Sequence, residues 1–219
     1  ACPNASGTVT LIYQRFREIA GDFPIASLAK AAVLNTAEDK GNPGPDYQFG
    51  YGQLDGLRAV ELIEKGRYFV GNLEHNQEQT YTINVPANAK ELRVMLVWSD
   101  YRGTNGAKAL INDLDLIVVK GGTTYLPWTL NPSNPAEEAK RGIDRINNQE
   151  QVTVSNPTSG TYTIKVTGFE VPQGPQEYSI VYEYYTPTLN VTYPNGGESF
   201  SPGEKPVVRW SSLGYSGTY

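Results

Sequence analysis

Apolar residues recur along this chain with two different periods, and the change falls near Gly66. From Pro3 to Ala20, Val9, Ile12, Phe16 and Ile19 return at steps of three and four, which places them on one face of an α-helix. Pro3 suits a first helical turn, where its missing N–H costs nothing, and Gly21 suits the stop. A second helix is predicted over Ile25 to Ala37, rich enough in alanine to approach a neighbouring backbone closely. After the loop Gly41-Asn42-Pro43-Gly44-Pro45-Asp46, a third helix is predicted from Leu54 to Lys65, with Leu57, Val60 and Ile63 directed inward.

Beyond Gly66 the period is two. Tyr81, Ile83 and Val85 alternate with polar residues, then Leu92, Val94, Leu96 and Trp98, the pattern of strands with one buried face. Further strands are predicted over 115–120, 151–154, 161–167 and 177–184. Turn signals separate them at Gly103 to Gly106, Gly121-Gly122, Asn156 to Gly160 and Pro172 to Pro175. Short strands so punctuated predict a small β-sandwich. Thr186-Pro187-Thr188 reads as a linker. Residues Asn190 to Tyr219, with Val207-Val208-Arg209-Trp210 as a strand, read as the opening hairpin of another sandwich.

Composition narrows the chemistry. The 219 residues carry 18 Lys plus Arg against 23 Asp plus Glu, a net charge of −5, which argues against nucleic acid and anionic membranes as partners. The longest apolar runs, Met95 to Trp98 and Leu116 to Val119, are far shorter than the ~20 residues of a membrane span. A single cysteine, Cys2, excludes an internal disulfide and a thiolate metal cage, and a single histidine, His75, excludes a multi-histidine zinc site. His75 reads as a solvated loop residue and Cys2 as a packed one, neither with a nucleophile–base partner in view. Three helices in the first 66 residues make a marginal core. The first helix is therefore expected to be buried by material outside the chain, the alternative being a self-sufficient cap on the sandwich. A first residue of Ala and a strand-like segment near the last one read as a piece cut from a longer protein.

Asp113 and Asp115 stand two apart, so on a strand they project from one face and repel each other unless a cation intervenes. Calcium takes oxygen ligands from carboxylates, amides and carbonyls, and Asp100, Asn112, Asp144, Asn147 and Asn148 lie in turn-prone segments that offer them. The scarcity of His, Cys and Met favours calcium over zinc or copper. Asp and Asn are equally the residues that bind their own backbone in turns. Tyr101, Tyr125, Tyr178, Tyr182, Tyr184, Tyr185 and Trp128 read either as an aromatic binding platform or as cross-strand pairs within a sheet.

Ala1-Cys2-Pro3-Asn4-Ala5-Ser6-Gly7 resembles the segment that follows the nucleophile in subtilisin-like serine proteases, Gly-Thr-Ser-x-Ala-x-Pro-x-Val/Ala-Ala/Ser-Gly, with Cys2 where Thr is usual. Leu28 to Ala37 and Gly50-Tyr51-Gly52-Gln53-Leu54-Asp55 continue that likeness. Val94 to Asp100, Leu110-Ile111-Asn112-Asp113-Leu114-Asp115-Leu116, Ile146 to Glu150, Gly160 to Val166 and Val171 to Gln176 resemble the C-terminal jelly-roll domain of large secreted alkaline subtilisins. The resemblance implies an α+β fragment. Residues 1–66 are then the last three helices of a subtilisin-like α/β catalytic domain, 67–185 an antiparallel β-sandwich (jelly roll), and 186–219 a linker and the start of a further module. It implies a secreted serine endopeptidase acting on protein or peptide substrates. Its Ser, His and Asp lie upstream, the nucleophile two residues before Ala1, so no catalytic residue is expected in the chain and the sandwich is expected to pack on the missing catalytic domain. It implies Ca2+, with Asp115 and Asp144 as ligands and the Ile146 carbonyl between them. Arg141-Gly142-Ile143 departs from the relatives, which predicts one calcium site fewer. The alternatives are an extracellular binding or adhesion module and a pseudoprotease.

Overall fold

Two central strands buried on both faces set the architecture of the computed structural model, which describes residues 2–213 apart from 105, 107 and 187. Three helices come first: α1 (Cys2–Ala20), α2 (Ala26–Thr36) and α3 (Gly56–Glu64). The strands that follow are β1 (Tyr68–Leu73), β2 (Glu78–Val85), β3 (Glu91–Trp98), β4 (Asp113–Lys120), β5 (Thr123–Tyr125), β6 (Trp128–Thr129), β7 (Lys140–Arg141), β8 (Gln149–Ser155), β9 (Gly160–Glu170), β10 (Gln176–Tyr185), β11 (Thr188–Tyr193) and β12 (Arg209–Leu213). One antiparallel sheet has the order β1-β10-β3-β8 and faces another of order β2-β9-β4-β5, so the expected sandwich is present. The pairs β6-β7 and β11-β12 form separate two-stranded ribbons. Ala1, Asn105 of the predicted 103–106 turn, Pro187 of the predicted linker and residues 214–219 lie outside the described residues.

The sheet-to-sheet core uses the even positions of β3, Leu92, Val94, Leu96 and Trp98, with Val152, Val154, Ile164, Val166, Tyr178 and Ile180. Period two predicts a strand with one buried face, yet Met95 and Val97 on the other side of β3 are buried as well, together with Val181 of β10, against the helices. β3 is therefore covered on both faces: the helices form a third layer on the outside of the β1-β10-β3-β8 sheet. Polar groups on that face find partners in the helical layer. The Ser27 and Ser179 hydroxyls are 2.9 Å apart, Arg93 donates to the Ala37 carbonyl at 2.6 Å, and Arg58 forks onto Glu183 at 3.0 and 2.6 Å.

The helix phases differ from expectation. α3 is N-capped by Asp55, which accepts from the Arg58 N–H at 3.0 Å, and it buries Ala59, Leu62 and Ile63. Leu57, expected inward, is 71% exposed, because the contact side of α3 is centred on 59, 62 and 63 and a residue two positions earlier points away from it. In α1 only Ile12 is fully buried, while Val9 and Phe16 are half-buried and Ile19 is exposed, because α1 lies outermost, against α3 and α2 rather than on the sheet. Cys2 is exposed, which corrects its reading as a packed residue. Strand β1 went unpredicted because it holds Gly71 and no clean alternation. That glycine is required by close approach: a Cβ there would lie 2.7 Å from Gln79 Oε1, Tyr81 Oη and Tyr178 Oη.

The Arg58 and Glu183 side chains are only 11% and 10% exposed, so removing one partner strands a buried charge. Arg58→Met is expected to destabilise the chain by about 3–5 kcal/mol in denaturant titration, and adding Glu183→Leu should recover most of that loss. A variant with unchanged stability would mean that the helical layer is not held through this pair.

Candidate functional site

The edge of β4 is where the sandwich leaves backbone groups to be satisfied by side chains. β9 pairs with β4 along its length, but on the other side β5 pairs only with Val118, Val119 and Lys120. The uncovered N–H of Leu116 is met instead from the opposite sheet, by Glu150 Oε2 at 2.7 Å. Glu150 is 1% exposed, and its second oxygen, Oε1, has no hydrogen-bond partner among the described residues. Burial pushes its carboxyl well above the ordinary range against the Leu116 hydrogen bond, and the charges of Asp115, Asp144 and Asp113 push it the same way.

Asp113 and Asp115 share a face of β4, as their spacing predicts, and one cation grips both. Arg145 donates to Asp113 Oδ1 at 3.2 Å, and its fork engages both oxygens of Asp115, the Nη2–Oδ2 arm at 3.1 Å. Lys108 reaches Asp113 Oδ2 at 3.5 Å and Glu170 at 3.7 Å. Burial raises the Asp113 carboxyl, and Arg145 and Lys108 pull it back only in part. For Arg145 burial opposes the charge, but the hydrogen bond and charge of Asp115, with Asp113, outweigh it and raise its pKa. The guanidinium also lies 3.6 Å over the Phe169 ring.

Asp144 is shaped as a turn: Oδ1 accepts the N–H groups of Ile146 and Asn147 at 2.8 and 3.1 Å, and Oδ2 accepts from the Asn147 amide at 2.7 Å. The remaining candidates hold backbone. Asp100 ties residue 101 to the start of β4, accepting from Tyr101, Ile111 and Asn112 at 2.8, 2.7 and 2.9 Å. Asn112 donates to the Gln173 carbonyl and Gln176 Oε1 and accepts from the Gln173 N–H. Asn148 donates to the Trp98 carbonyl at 2.8 Å. Thus Arg145 joins Asp113 and Asp115, Asp144 closes its own turn onto Ile146 and Asn147, and Asp100, Asn112 and Asn148 serve as loop pins.

Sequence reasoning missed Glu150, Arg145 and Lys108. A signal for Glu150 was available: it continues the series Val152 and Val154 at core-facing steps of two, where a carboxylate is out of place without a purpose. Among the described residues no group of three or more His, Cys, Asp or Glu side chains is arranged to hold a metal ion, and the β4 carboxylates are paired with Arg145 instead. Glu150 Oε1 is the one carboxylate oxygen among the described residues that is buried without a hydrogen-bond partner.

Several of the aromatic residues pair within the sheets or carry arginines, while Tyr101 is exposed. Phe69 stacks on Tyr81 and Tyr182 with centroids 4.5 and 5.9 Å apart, Tyr178 is fully buried, and Trp128 lies beneath Arg141 while donating to Thr153 at 3.1 Å. His75 is exposed in its turn and accepts only from the Val171 N–H at 3.4 Å.

Comparison with known proteins places this site inside a recognisable unit. The serine protease/ABC transporter B family protein tagA of Dictyostelium discoideum is 26% identical over 174 residues, 72% of this chain and 10% of that protein. Its relative tagB is 30% identical over 90 residues, 40% of this chain and 5% of that protein. The chain thus spans about a tenth or less of the curated relatives it matches. Among solved structures, Aeromonas hydrophila PliG, a periplasmic lysozyme inhibitor of g-type lysozyme, is similar at TM-score 0.30 and 16% identity, over 54% of this chain and 84% of that one. The Bacillus licheniformis lipase BlEst2 in propeptide form is similar at TM-score 0.34 and 11% identity, over 62% of this chain and 30% of that one. The stretch that carries the candidate carboxylates, residues 77–168 from the start of β2 to near the end of β9, matches the bacterial pre-peptidase C-terminal domain, which occurs in the C-terminal regions of secreted proteases.

Proposed function

We propose that this chain is the C-terminal portion of a secreted subtilisin-like serine endopeptidase, in which a calcium-binding sandwich braces the last helices of the catalytic domain. The observation that carries the reading is the continuity of its two parts. α2 and α3 are fixed to the outer face of the sandwich by Ser27–Ser179, Arg93–Ala37 and Arg58–Glu183, so the segment with the protease-like motif and the protease-associated domain are one folded unit. The 174-residue similarity to a protein named a serine protease runs beyond residues 77–168, which supports the same reading. So does the outer surface of the helices, where Leu11, Ile19 and Leu57 stand in solvent as they would on helices made for a larger α/β core.

On this reading the catalytic triad lies outside residues 1–219, and the chain contributes support rather than a reacting group. α1 would follow the nucleophile directly, its first-turn N–H groups and dipole favouring negative charge there. The sandwich would hold Ca2+ through Asp115, Asp144 and the Ile146 carbonyl, with Glu150 as the added ligand. The cation would supply charge compensation to carboxylates that the protein otherwise pairs internally.

Two measurements test these parts separately. The gene segment preceding residue 1 is expected to encode Gly-Thr-Ser and one further residue, and the longer chain should label with a fluorophosphonate unless that Ser is changed to Ala. Residues 1–219 alone should neither label nor hydrolyse casein. Another residue at the Ser position would leave a pseudoprotease or a binding module. For the metal, raising free calcium from chelated to about a hundredfold above Kd should stabilise the chain by about 2.7 kcal/mol. In a thermal melt that is a rise of roughly 5–10 °C for a chain of this size. Asp144→Ala and Glu150→Gln should each remove the increment. A melt indifferent to calcium and chelator would end the calcium reading.

A further inference from the structure

We propose that the open edge of the sandwich, between β5 and β8, is a binding cleft for the carboxylate of an extended peptide, with Arg141 as the group that takes it. β8 ends one sheet and β5 ends the other, and neither has a further strand of its sheet beside it. Between them lies a cleft of about 380 Å³, whose lining includes Thr124, Tyr125, Arg141, Thr153, Ser155 and Thr158 and contains no Asp or Glu. Hydroxyl groups and one guanidinium thus face the opening, a lining that donates to an anion and offers a cation no carboxylate. The site is separate from the β4 carboxylates and does not depend on the protease or calcium readings above.

The guanidinium groups of Arg15, Arg58, Arg93 and Arg145 are each paired with a carboxylate. Arg141 is held in place as well, but among the described residues only neutral groups accept from it. It lies 3.4 Å over the Trp128 ring, donates from Nη1 to the Leu126 carbonyl at 3.3 Å, and donates from Nη2 to the Thr153 carbonyl and hydroxyl at 2.7 and 2.6 Å. Glu91, the acid whose charge reaches it, is itself taken by Arg93 at 2.7 Å. Three of the five N–H groups of the guanidinium are used, which leaves two, Nε–H among them, for a further acceptor. The Thr153 hydroxyl adds another donor. Its oxygen accepts from both Arg141 and Trp128 Nε1, so its own proton points elsewhere, and no acceptor for it stands among the described residues. A positive charge already fixed in place costs a ligand little ordering of the side chain, which is what a preformed anion site requires.

The edge of β8 suits an extended chain as the carrier of that anion. Trp98 N–H donates to the Asn148 carbonyl and Asn156 N–H to that of Lys90, so the even-numbered residues of this segment bond to β3, while Thr153 and Ser155 turn their backbone groups outward. Arg141 takes the Thr153 carbonyl, and Ser155, which lines the cleft, is left with an open edge on which a peptide strand can add.

The test is NMR titration of residues 1–219, following the Trp128 indole and Arg141 Nε–H signals, with three short peptides of threonine and valine. One is capped at both ends, one has a free C-terminal carboxylate, and one is capped but carries a central glutamate. A carboxylate-bearing peptide is expected to bind about tenfold more tightly than the capped one or better, to shift both signals, and to weaken as salt is raised. The free terminus and the glutamate are the two sources of carboxylate; the tighter peptide names the source, and equal binding means that the cleft takes either. Arg141→Gln should bring the charged and capped peptides to one affinity. That change also takes a contact from Trp128, so Thr124→Glu serves beside it. Thr124 is exposed, so the fold is kept, and the added carboxylate should cut binding about tenfold or more while Thr124→Gln leaves it unchanged. Equal affinity of the native chain for the charged and capped peptides, or binding of none of them, would overturn the site. So would a preference unchanged in both Arg141→Gln and Thr124→Glu. Inorganic phosphate bound as tightly as the peptides would uphold the anion site and overturn the peptide as its ligand.

Discussion

Burial of β3 and β10 on both faces is the constraint from which the rest follows. A sandwich needs one apolar face per sheet, and Leu92, Val94, Leu96 and Trp98 supply it. Met95, Val97 and Val181 put a second apolar surface on the outside of the same sheet, and an exposed surface of that kind must be covered. The alanine-rich α2 meets the requirement because small side chains let it lie close to the strands, and Ala29, Ala31 and Ala32 are all buried there. The helices thus cover the outer face of this sheet. That is why a helical segment too small for a core of its own is ordered here.

The second consequence concerns the polar groups caught between layers. Arg93, Ser179 and Glu183 lie on the helix-facing side of the sheet and are satisfied across the layer boundary by the Ala37 carbonyl, Ser27 and Arg58. Such contacts add little net stability over an apolar isostere, yet each is costly to break singly. They fix the register of the helices on the sheet, a role that apolar packing alone fills less strictly. At the far edge the same logic recurs with a shortage of backbone. β5 is too short to cover β4, and Glu150 crosses from the other sheet to cap Leu116. A carboxylate drawn into the sandwich for that purpose brings one oxygen more than the backbone can use.

What the sequence disclosed and what it withheld divide along physical lines. The strands β2, β3, β4, β8, β9 and β10 were legible because alternation is a local property, and the pairing of Asp113 with Asp115 on one face followed from the same period. The second buried face of β3 was not legible, since an unbroken apolar run reads alike in a strand covered on one face or on two. The phase of α3 was misread because Leu57 and Ile63 are equally apolar while only tertiary contact decides which is covered. β1 stayed hidden because its packing depends on an absent side chain, Gly71, seated against two tyrosines from other strands. Asp100 and Asn148 looked like ligands and are backbone pins, because an oxygen offered to a cation and one offered to an N–H have the same local sequence.

The identity of the counter-charge is where local and long-range readings meet. Two carboxylates two residues apart demand compensation, and the sequence cannot say whether it comes from a metal or from a side chain distant in the chain. Arg145 lies thirty residues from Asp115, so its pairing is settled only by the fold. Once it is in place, the compensation comes from within the chain. It contrasts with the pair of Arg58 and Glu183, where among the described residues no second cation contacts the buried carboxylate. The protein thus uses the same chemistry, guanidinium on carboxylate, between layers and at the rim. The two pairs differ in exposure, the Arg58 side chain being 11% exposed and the Arg145 side chain 31%.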